Sequence, residues 1–380
     1  MVIKMVYLDY SATTPVLHDV LESYNKTTKS FIGNVNSIHS LGVKSKELMD
    51  NATKQIAELL NIDDNEIIYT SGATESNNMA LIGSIKALKK TGEIIVSKLE
   101  HPSIYNICNY LEKLGNKIVY VNNDSEGLVD FEDLKNKVNE NTLLVSICAV
   151  NSELGIRQPL KTLRQIIKKE NKSTLFHSDI TQAIGKVSVS MHDVDLATFS
   201  SHKIYGPKGI GALYKAKNVK LEPLFYGSDK YNLGRAGTPS LPLIVAFSKA
   251  LRIALKELDQ KEIYVGKLCE RLVNYFSQID RILINHSKYA IPHILNISLM
   301  SIKSETFVHA LEEKEIFVST TTACTKGNDS FSIMSLYNDK KRAGSSIRIS
   351  ISYMTTNEEI KKFITVFDEL YNSLNYVREV

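Results

Sequence analysis

Between residues 66 and 200, short β-prone runs alternate with helical patterns, and that rhythm constrains the fold more than any other feature. The runs are EIIYT (66–70), EIIVS (93–97), KIVYV (117–121), LLVSICAV (143–150), TLFHSD (174–179) and DLATFS (195–200), with helix-patterned stretches such as 75–90, 103–114 and 160–170 between them. Strands joined through helices predict an α/β fold with a mainly parallel sheet covered by helices. After about residue 255 the rhythm changes. A long helix over roughly 243–278 leads to HILNISLM, a helix, IFVST, a polar loop, SSIRISISY and a last helix opened by a Thr356–Glu359 capping box. This predicts a large domain over 13–255 and a smaller α/β C-terminal domain built from 256–380 with residues 1–12. A chain of 380 residues, 43% hydrophobic, has enough apolar material for both.

Ligands of open parallel sheets bind beyond the carboxyl ends of the strands. The informative residues are therefore those just after each strand: SGATE (71–75), EHP (100–102), NSELG (151–155), SDITQ (178–182) and SSHK (200–203). All five carry polar, chemically capable side chains. Lys203 also sits in the stiff setting SSHKIYGPKGIGALY (200–214), which a solvated surface lysine does not need.

That set matches the needs of pyridoxal phosphate (PLP). The cofactor requires a lysine amine for an imine, a carboxylate to hold its pyridine nitrogen protonated, and a cup of donors for its phosphate. Lys203 ends one strand and Asp179 another, and Gly72, Ala73 and Thr74 open a helix whose free N–H groups and dipole favour an anion. Taken singly, each has an ordinary reading: the glycine-led segment as a helix cap, Asp179 as another cap, His101 before its proline as a loop histidine bonded to backbone. Their combination on one rim favours the cofactor.

Other classes are disfavoured. The net charge of +4 is spread without a basic block, so nucleic acid is not an expected partner. The longest apolar runs are strand-length and MVIKMVYLDY lacks signal-peptide build, so a cytoplasmic location without membrane contact is the default expectation. Cys108, Cys148, Cys269 and Cys324 form no CxxC pair and no zinc spacing, so no metal is expected. Cys108 and Cys148 read as packed core thiols, whereas Cys324 lies in the small, polar STTTACTKGNDS.

The residues now carry a resemblance. The chain resembles the class V aminotransferase-fold enzymes, PLP-dependent transferases of fold type I, and most closely the cysteine desulfurases of the NifS/IscS type. The similarity runs through YLDYSATTP (7–15), GNVNSIHSLG (33–42), SGATESNN (71–78), EHPSI (100–104), NSELGIRQP (151–159), FHSDITQAIGK (176–186), the Lys203 segment, GRAGTPS (234–240), TTACT (321–325) and SSIRIS (345–350). It implies that Lys203 joins the cofactor aldehyde and shuttles protons, and that His101 stacks on the ring and acts in acid/base steps. Asp179 would pair with the ring nitrogen and Gln182 would donate to the ring hydroxyl. Gly72, Ala73, Thr74, Ser200 and His202 would hold the phosphate, with Thr238 supplied by the neighbouring subunit of a homodimer. Asn151 and Arg348, with Asn34, would bind the substrate carboxylate, a task suited to a guanidinium fork.

The implied reaction converts L-cysteine to L-alanine while the Cys324 thiolate takes the sulfur as a persulfide, for delivery to an acceptor protein such as an iron–sulfur scaffold or a thiolation enzyme. The polar stretch 325–344 is expected to be a loop long enough to swing Cys324 between cofactor and acceptor. Four places depart from the family pattern: Leu154 replaces a threonine, Val35 follows Gly33-Asn34 where proline is expected, YGSDKYNLGRAGT stands for a glycine-rich segment with Gln-Glu, and STTTAC stands for a serine-rich lead to the catalytic cysteine. The nearest alternatives are a selenocysteine lyase or another class V aminotransferase, and an aminotransferase would not need Cys324.

Overall fold

The sheet that carries the candidate site has seven strands among the described residues, and six of them are the runs expected from the sequence. The structure is a computed structural model that describes residues 5–227, 234–320 and 330–379. Across the sheet the order is Ile67–Thr70, Gly211–Lys215, Leu196–Ser200, Leu175–Asp179, Thr142–Ser146, Glu93–Ser97 and Lys117–Val121. The pairs from Leu196–Ser200 outward to Lys117–Val121 are parallel. The strand Gly211–Lys215 pairs antiparallel on both sides, with Ile67–Thr70 and with Leu196–Ser200. Its first residue must be glycine, because a Cβ there would lie 2.7 Å from the Phe199 carbonyl oxygen and 2.8 Å from Gly72 Cα.

The central strands are buried along their whole length, as befits a sheet covered on both faces. One face packs into a cluster that includes Ile95, Val145, Phe176, Phe199 and Phe247. The other packs against Ile68, Leu81, Val96 and Leu213. Helix Leu160–Glu170 is tied to the sheet by Asp195, only 3% exposed, which takes Arg164 at 2.8 Å, Lys168 at 2.7 Å and the Phe176 N–H at 2.8 Å. Deleting such a carboxylate strands its partners and typically costs about 3–5 kcal/mol.

The C-terminal elements form a four-stranded sheet in the order Ser319–Thr320, Ser346–Ser350, Ile294–Ser298, Leu283–Ile284, all pairs antiparallel. Val6 and Leu8 bury in its apolar cluster with Phe307, Ile349 and Phe363, and Val6–Tyr7 pairs in parallel with Ile316–Phe317.

Two expectations change. The helix anticipated over 243–278 is two helices, Leu241–Leu255 and Leu258–Phe276, because Glu257 between them adopts a left-handed conformation at φ 56°. The polar loop anticipated over 325–344 is helical in its second part. Ser330 accepts the Ile333 N–H to open Phe331–Tyr337, Asp339 accepts the Arg342 N–H to open Lys340–Gly344, and Ile333 supplies a buried anchor. The last helix begins as expected, with Thr356 Oγ1 accepting the Glu359 N–H at 3.1 Å and Glu359 accepting the Thr356 N–H at 2.7 Å.

Candidate active site

The strand ends converge on a cavity of about 1030 Å³. Lys203 enters it from the short 3₁₀ turn Ser201–Lys203 that follows its strand. The turn is rigid for identifiable reasons. Thr14 donates its N–H and its hydroxyl to the His202 carbonyl at 2.9 and 3.0 Å, and its hydroxyl accepts the Tyr205 N–H at 2.7 Å. Tyr205 is held left-handed at φ 66°, and a Cβ on Gly206 would collide with the Ser201 hydroxyl at 2.0 Å. Such a backbone persists only where its surroundings over-determine it. Lys203 Nζ donates to the carbonyls of Ser11 and Ala12, the latter at 2.8 Å.

Beside Lys203 the helix Ala73–Leu88 points its N-terminus into the cavity, which Gly72, Ala73 and Thr74 all line. The N–H groups of a first turn lack intrahelical partners. One of them, from Ala73, is taken by the Ser200 hydroxyl at 3.0 Å. His202 lines the same corner, 3.1 Å from the Thr13 hydroxyl through Nδ1. Burial first, and then the charges of Lys203, Lys208 and Lys186, bring its pKa down to about 4, so it is a neutral hydrogen-bonding group.

Asp179 is 8% exposed and oriented from two sides, with Asn77 Nδ2 at 2.9 Å on Oδ2 and the Thr181 N–H at 3.0 Å on Oδ1. His101 lines the cavity and also caps the helix Pro102–Lys113, its Nδ1 accepting the Ser103 N–H at 3.2 Å. His101 thus bonds to backbone, as its ordinary reading has it, and also lines the cavity. With Nδ1 accepting, a neutral ring carries its proton on Nε2, and burial lowers the pKa of the ring. Gln182 Nε2 donates to the Ser11 carbonyl at 2.9 Å.

On the opposite wall Arg348 donates to the Ser152 carbonyl at 2.9 Å and to Asp9 Oδ1 at 3.0 Å, while its buried Nε meets no partner among the described residues. Asn151 is buried at 2% exposure and does not line the cavity. Its Nδ2 donates to the Leu99 carbonyl at 2.9 Å and to Ser332 Oγ at 3.2 Å. Ser330 donates to Glu153 Oε2, and burial raises the pKa of that carboxyl. Helix Phe331–Tyr337 thus sits on the 151–154 turn, with Phe331 edge-on to Tyr105 at 5.1 Å and Ile333 in an apolar cluster with Leu99 and Leu154. The leucine that departs from the family pattern is buried in that seat.

The structure does not bring every expected residue together. Asn34 is exposed, outside the cavity wall, with Oδ1 accepting the Asn36 N–H at 2.9 Å. Thr238 is exposed and also outside the wall, in a segment joined to the helix Ala73–Leu88 by Arg235 Nε to Glu75 Oε1 at 2.9 Å. Cys324 lies outside the described residues. Cys108, Cys148 and Cys269 are unpaired and buried. Cys148 reaches the cavity wall, yet its thiol donates to the Leu99 carbonyl at 3.2 Å and burial holds its pKa well above the ordinary thiol value. It is a poor nucleophile.

Sequence reasoning assigned no role to Asn77, Glu100 or the backbone carbonyls of Ser11 and Ala12. Asn77 was within reach, since it lies three residues beyond Thr74 and so on the same helical face. Glu100 is a fully buried carboxyl whose Oε1 accepts the Cys148 N–H at 2.6 Å while Oε2 has no partner among the described residues. Burial, opposed by that N–H and reinforced by the Asp179 charge, pushes its pKa up to about 8. Its sequence signal was an acid three residues beyond an apolar strand, next to His101.

Fold and cavity together define an α/β enzyme architecture in which a rigidly held lysine, an oriented carboxylate and a helix-terminal anion cup meet at one sheet edge. Comparison with known proteins agrees. Residues 6–363 match the family described as aminotransferase class-V. A relative from Lactobacillus delbrueckii subsp. bulgaricus, named as a NifS/IcsS protein homolog, is 37% identical over 99% of this chain and 100% of its own. A cysteine desulfurase IscS from Buchnera aphidicola subsp. Schizaphis graminum is 38% identical over 94% of this chain and 90% of its own. A solved NifS-like protein superposes with a TM-score of 0.91 at 34% identity, covering 98% of this chain and 100% of that one. The chain belongs to the class-V aminotransferase family, on its NifS/IscS branch.

Proposed function

We propose that this protein is a PLP-dependent cysteine desulfurase that converts L-cysteine to L-alanine and takes the sulfur onto Cys324. The observation that carries this reading is the meeting of Lys203, Asp179 and the Gly72–Thr74 helix terminus around one cavity of about 1030 Å³. The donor set fits the cofactor: a cup built from Ser200 and a helix N-terminus for the phosphate, Asp179 for the ring nitrogen, Gln182 for the ring hydroxyl and a lysine for the aldehyde. When bound, PLP supplies an electron sink for bond cleavage at the amino acid.

The chain's own groups do the rest. Lys203 carries a proton to and from the substrate α-carbon, and the Ser11 and Ala12 carbonyls hold its Nζ in reach. His101 presents its Nε2–H side as the acid/base partner. Arg348 anchors the substrate carboxylate, and Asn151 joins it by exchanging Ser332 for the substrate. Cys324 approaches from a segment whose described neighbours, Thr320 on one side and Phe331 and Ser332 on the other, line the cavity. Attack of its thiolate on the substrate sulfur forms the S–S bond as the C–S bond breaks, leaving a persulfide that an acceptor protein removes.

The same reading assigns the chain to a cytoplasmic homodimer in which Thr238 completes the partner's phosphate cup and Asn34 reaches a substrate site from outside its own cavity wall. The exposed apolar run Ile32, Ile38, Leu41 and Val43 supports a covered face there. The domain division at 13–255, with 1–12 joined to 256–380, is supported by the burial of Val6 and Leu8 in the C-terminal cluster. No described helix is long and apolar enough to cross a membrane. The direct test of the cofactor site is the visible absorption of the protein incubated with PLP: wild type turns yellow, and Lys203→Ala does not acquire the lysine-linked band. A colourless wild type contradicts the reading.

A further inference from the structure

Lys186 does not line the cavity, and nothing in the reaction above uses it. It is nevertheless 7% exposed, a costly place for an ammonium, and its Nζ donates to Gln182 Oε1 at 2.9 Å, four residues back in the turn that follows the Leu175–Asp179 strand. An ammonium offers donors only, whereas a carboxamide has an acceptor end and a donor end. Lys186 therefore decides which way the Gln182 amide faces. Oε1 turns to Lys186, and the NH₂ group turns to the Ser11 carbonyl, the same carbonyl that accepts Lys203 Nζ.

We propose that Lys186 is a positioning residue that locks the Gln182 carboxamide with its NH₂ toward the cavity, fixing a hydrogen-bond donor for the cofactor's ring oxygen beside Lys203. This rests on the reading of the cavity as a PLP site. Without Lys186, Oε1 is left buried and unpartnered, and the NH₂ orientation rests on the Ser11 carbonyl alone, which Lys203 Nζ also claims. The charged and titratable groups whose fields couple to Lys186 are Lys203, Arg348, His202 and His293. Burial and the two like charges already bring Lys186 down to about 7.

A donor on the ring oxygen disfavours the protonated form of the Lys203 linkage at every pH, and the Lys186 charge adds to this below about 7, so losing Lys186 raises the pH at which that linkage titrates. The experiment follows the visible band of PLP-loaded protein between about pH 5 and pH 10. Lys186→Met is expected to move the midpoint up by about one pH unit, Lys186→Arg to restore it, and the Lys186→Met shift to shrink in a Gln182→Leu background. A purely structural lysine changes stability and leaves this midpoint alone. If Lys186→Met does not load, Lys186→Gln, which retains a donor and drops the charge, is compared with and without Gln182→Leu in its place. An unmoved midpoint, or a shift of the same size with Gln182→Leu, overturns the proposal while leaving the cofactor reading intact. A wild type that binds no PLP overturns both.

Discussion

Asn77 donates its side-chain amide to Oδ2 of Asp179 at 2.9 Å, across 102 residues of sequence. The contact joins the helix that opens the anion cup to the strand that carries the carboxylate. A hydrogen bond to a charged group contributes about 1.5–3 kcal/mol, a factor of ten or more. Asn77→Ala should lower the rate of alanine formation by at least about tenfold while the protein still loads PLP. A rate within twofold of wild type, measured at saturating cofactor, would show that Asp179 does not depend on Asn77.

The contact between Ser332 and Asn151 makes a different statement. Ser332→Ala releases one Asn151 N–H without touching the cofactor cup. The KM for L-cysteine should fall several-fold, with kcat changed less, if Asn151 binds the substrate carboxylate by exchanging partners. An unchanged or higher KM would remove Asn151 from the substrate site.

Glu100 gives a pH signature in stability. Its folded pKa of about 8 stands above the ordinary 4.5, so the folded state holds a proton that the unfolded chain releases. The stability tied to that proton is complete below the ordinary value and is lost as pH rises toward 8. Glu100→Gln removes the loss, so its urea midpoint should gain on wild type between pH 5 and about 8.5. Parallel midpoints across that range would mean that Glu100 is ionised in the folded protein.

The proposal that Thr238 completes a partner subunit's phosphate cup can be tested by complementation. In mixed dimers of Lys203→Ala and Thr238→Ala subunits, one of the two sites regains both residues. Mixing should restore activity that neither parent has in full, reaching about half the wild-type value per mixed dimer. Activity that stays at the average of the parents would place Thr238 in its own subunit's business or in none.

Much of this site was legible because strand ends are short, local signals: Asp179, Ser200 and Lys203 follow directly from where apolar runs stop. The strand Gly211–Lys215 was not, since GPKGIG reads as loop punctuation while its glycines permit a close antiparallel return beside Gly72. The break at Glu257 was invisible because a left-handed residue leaves helical periodicity almost undisturbed on either side. Long-range pairs were beyond reach: nothing local announces that Asp9 faces Arg348 or that Ser332 faces Asn151. Lys186 and Gln182, by contrast, lie only four residues apart in one turn and could have been read together.

The central claim is that cysteine sulfur passes to Cys324. The measurement is sulfide and alanine release from L-cysteine under reducing conditions by PLP-loaded wild type, with Cys324→Ala and Cys148→Ala alongside. Equal amounts of both products from wild type and Cys148→Ala, and none from a Cys324→Ala that is still yellow, are expected. A loaded wild type that releases neither product, or a Cys324→Ala as active as wild type, would contradict the claim and favour another class V reaction.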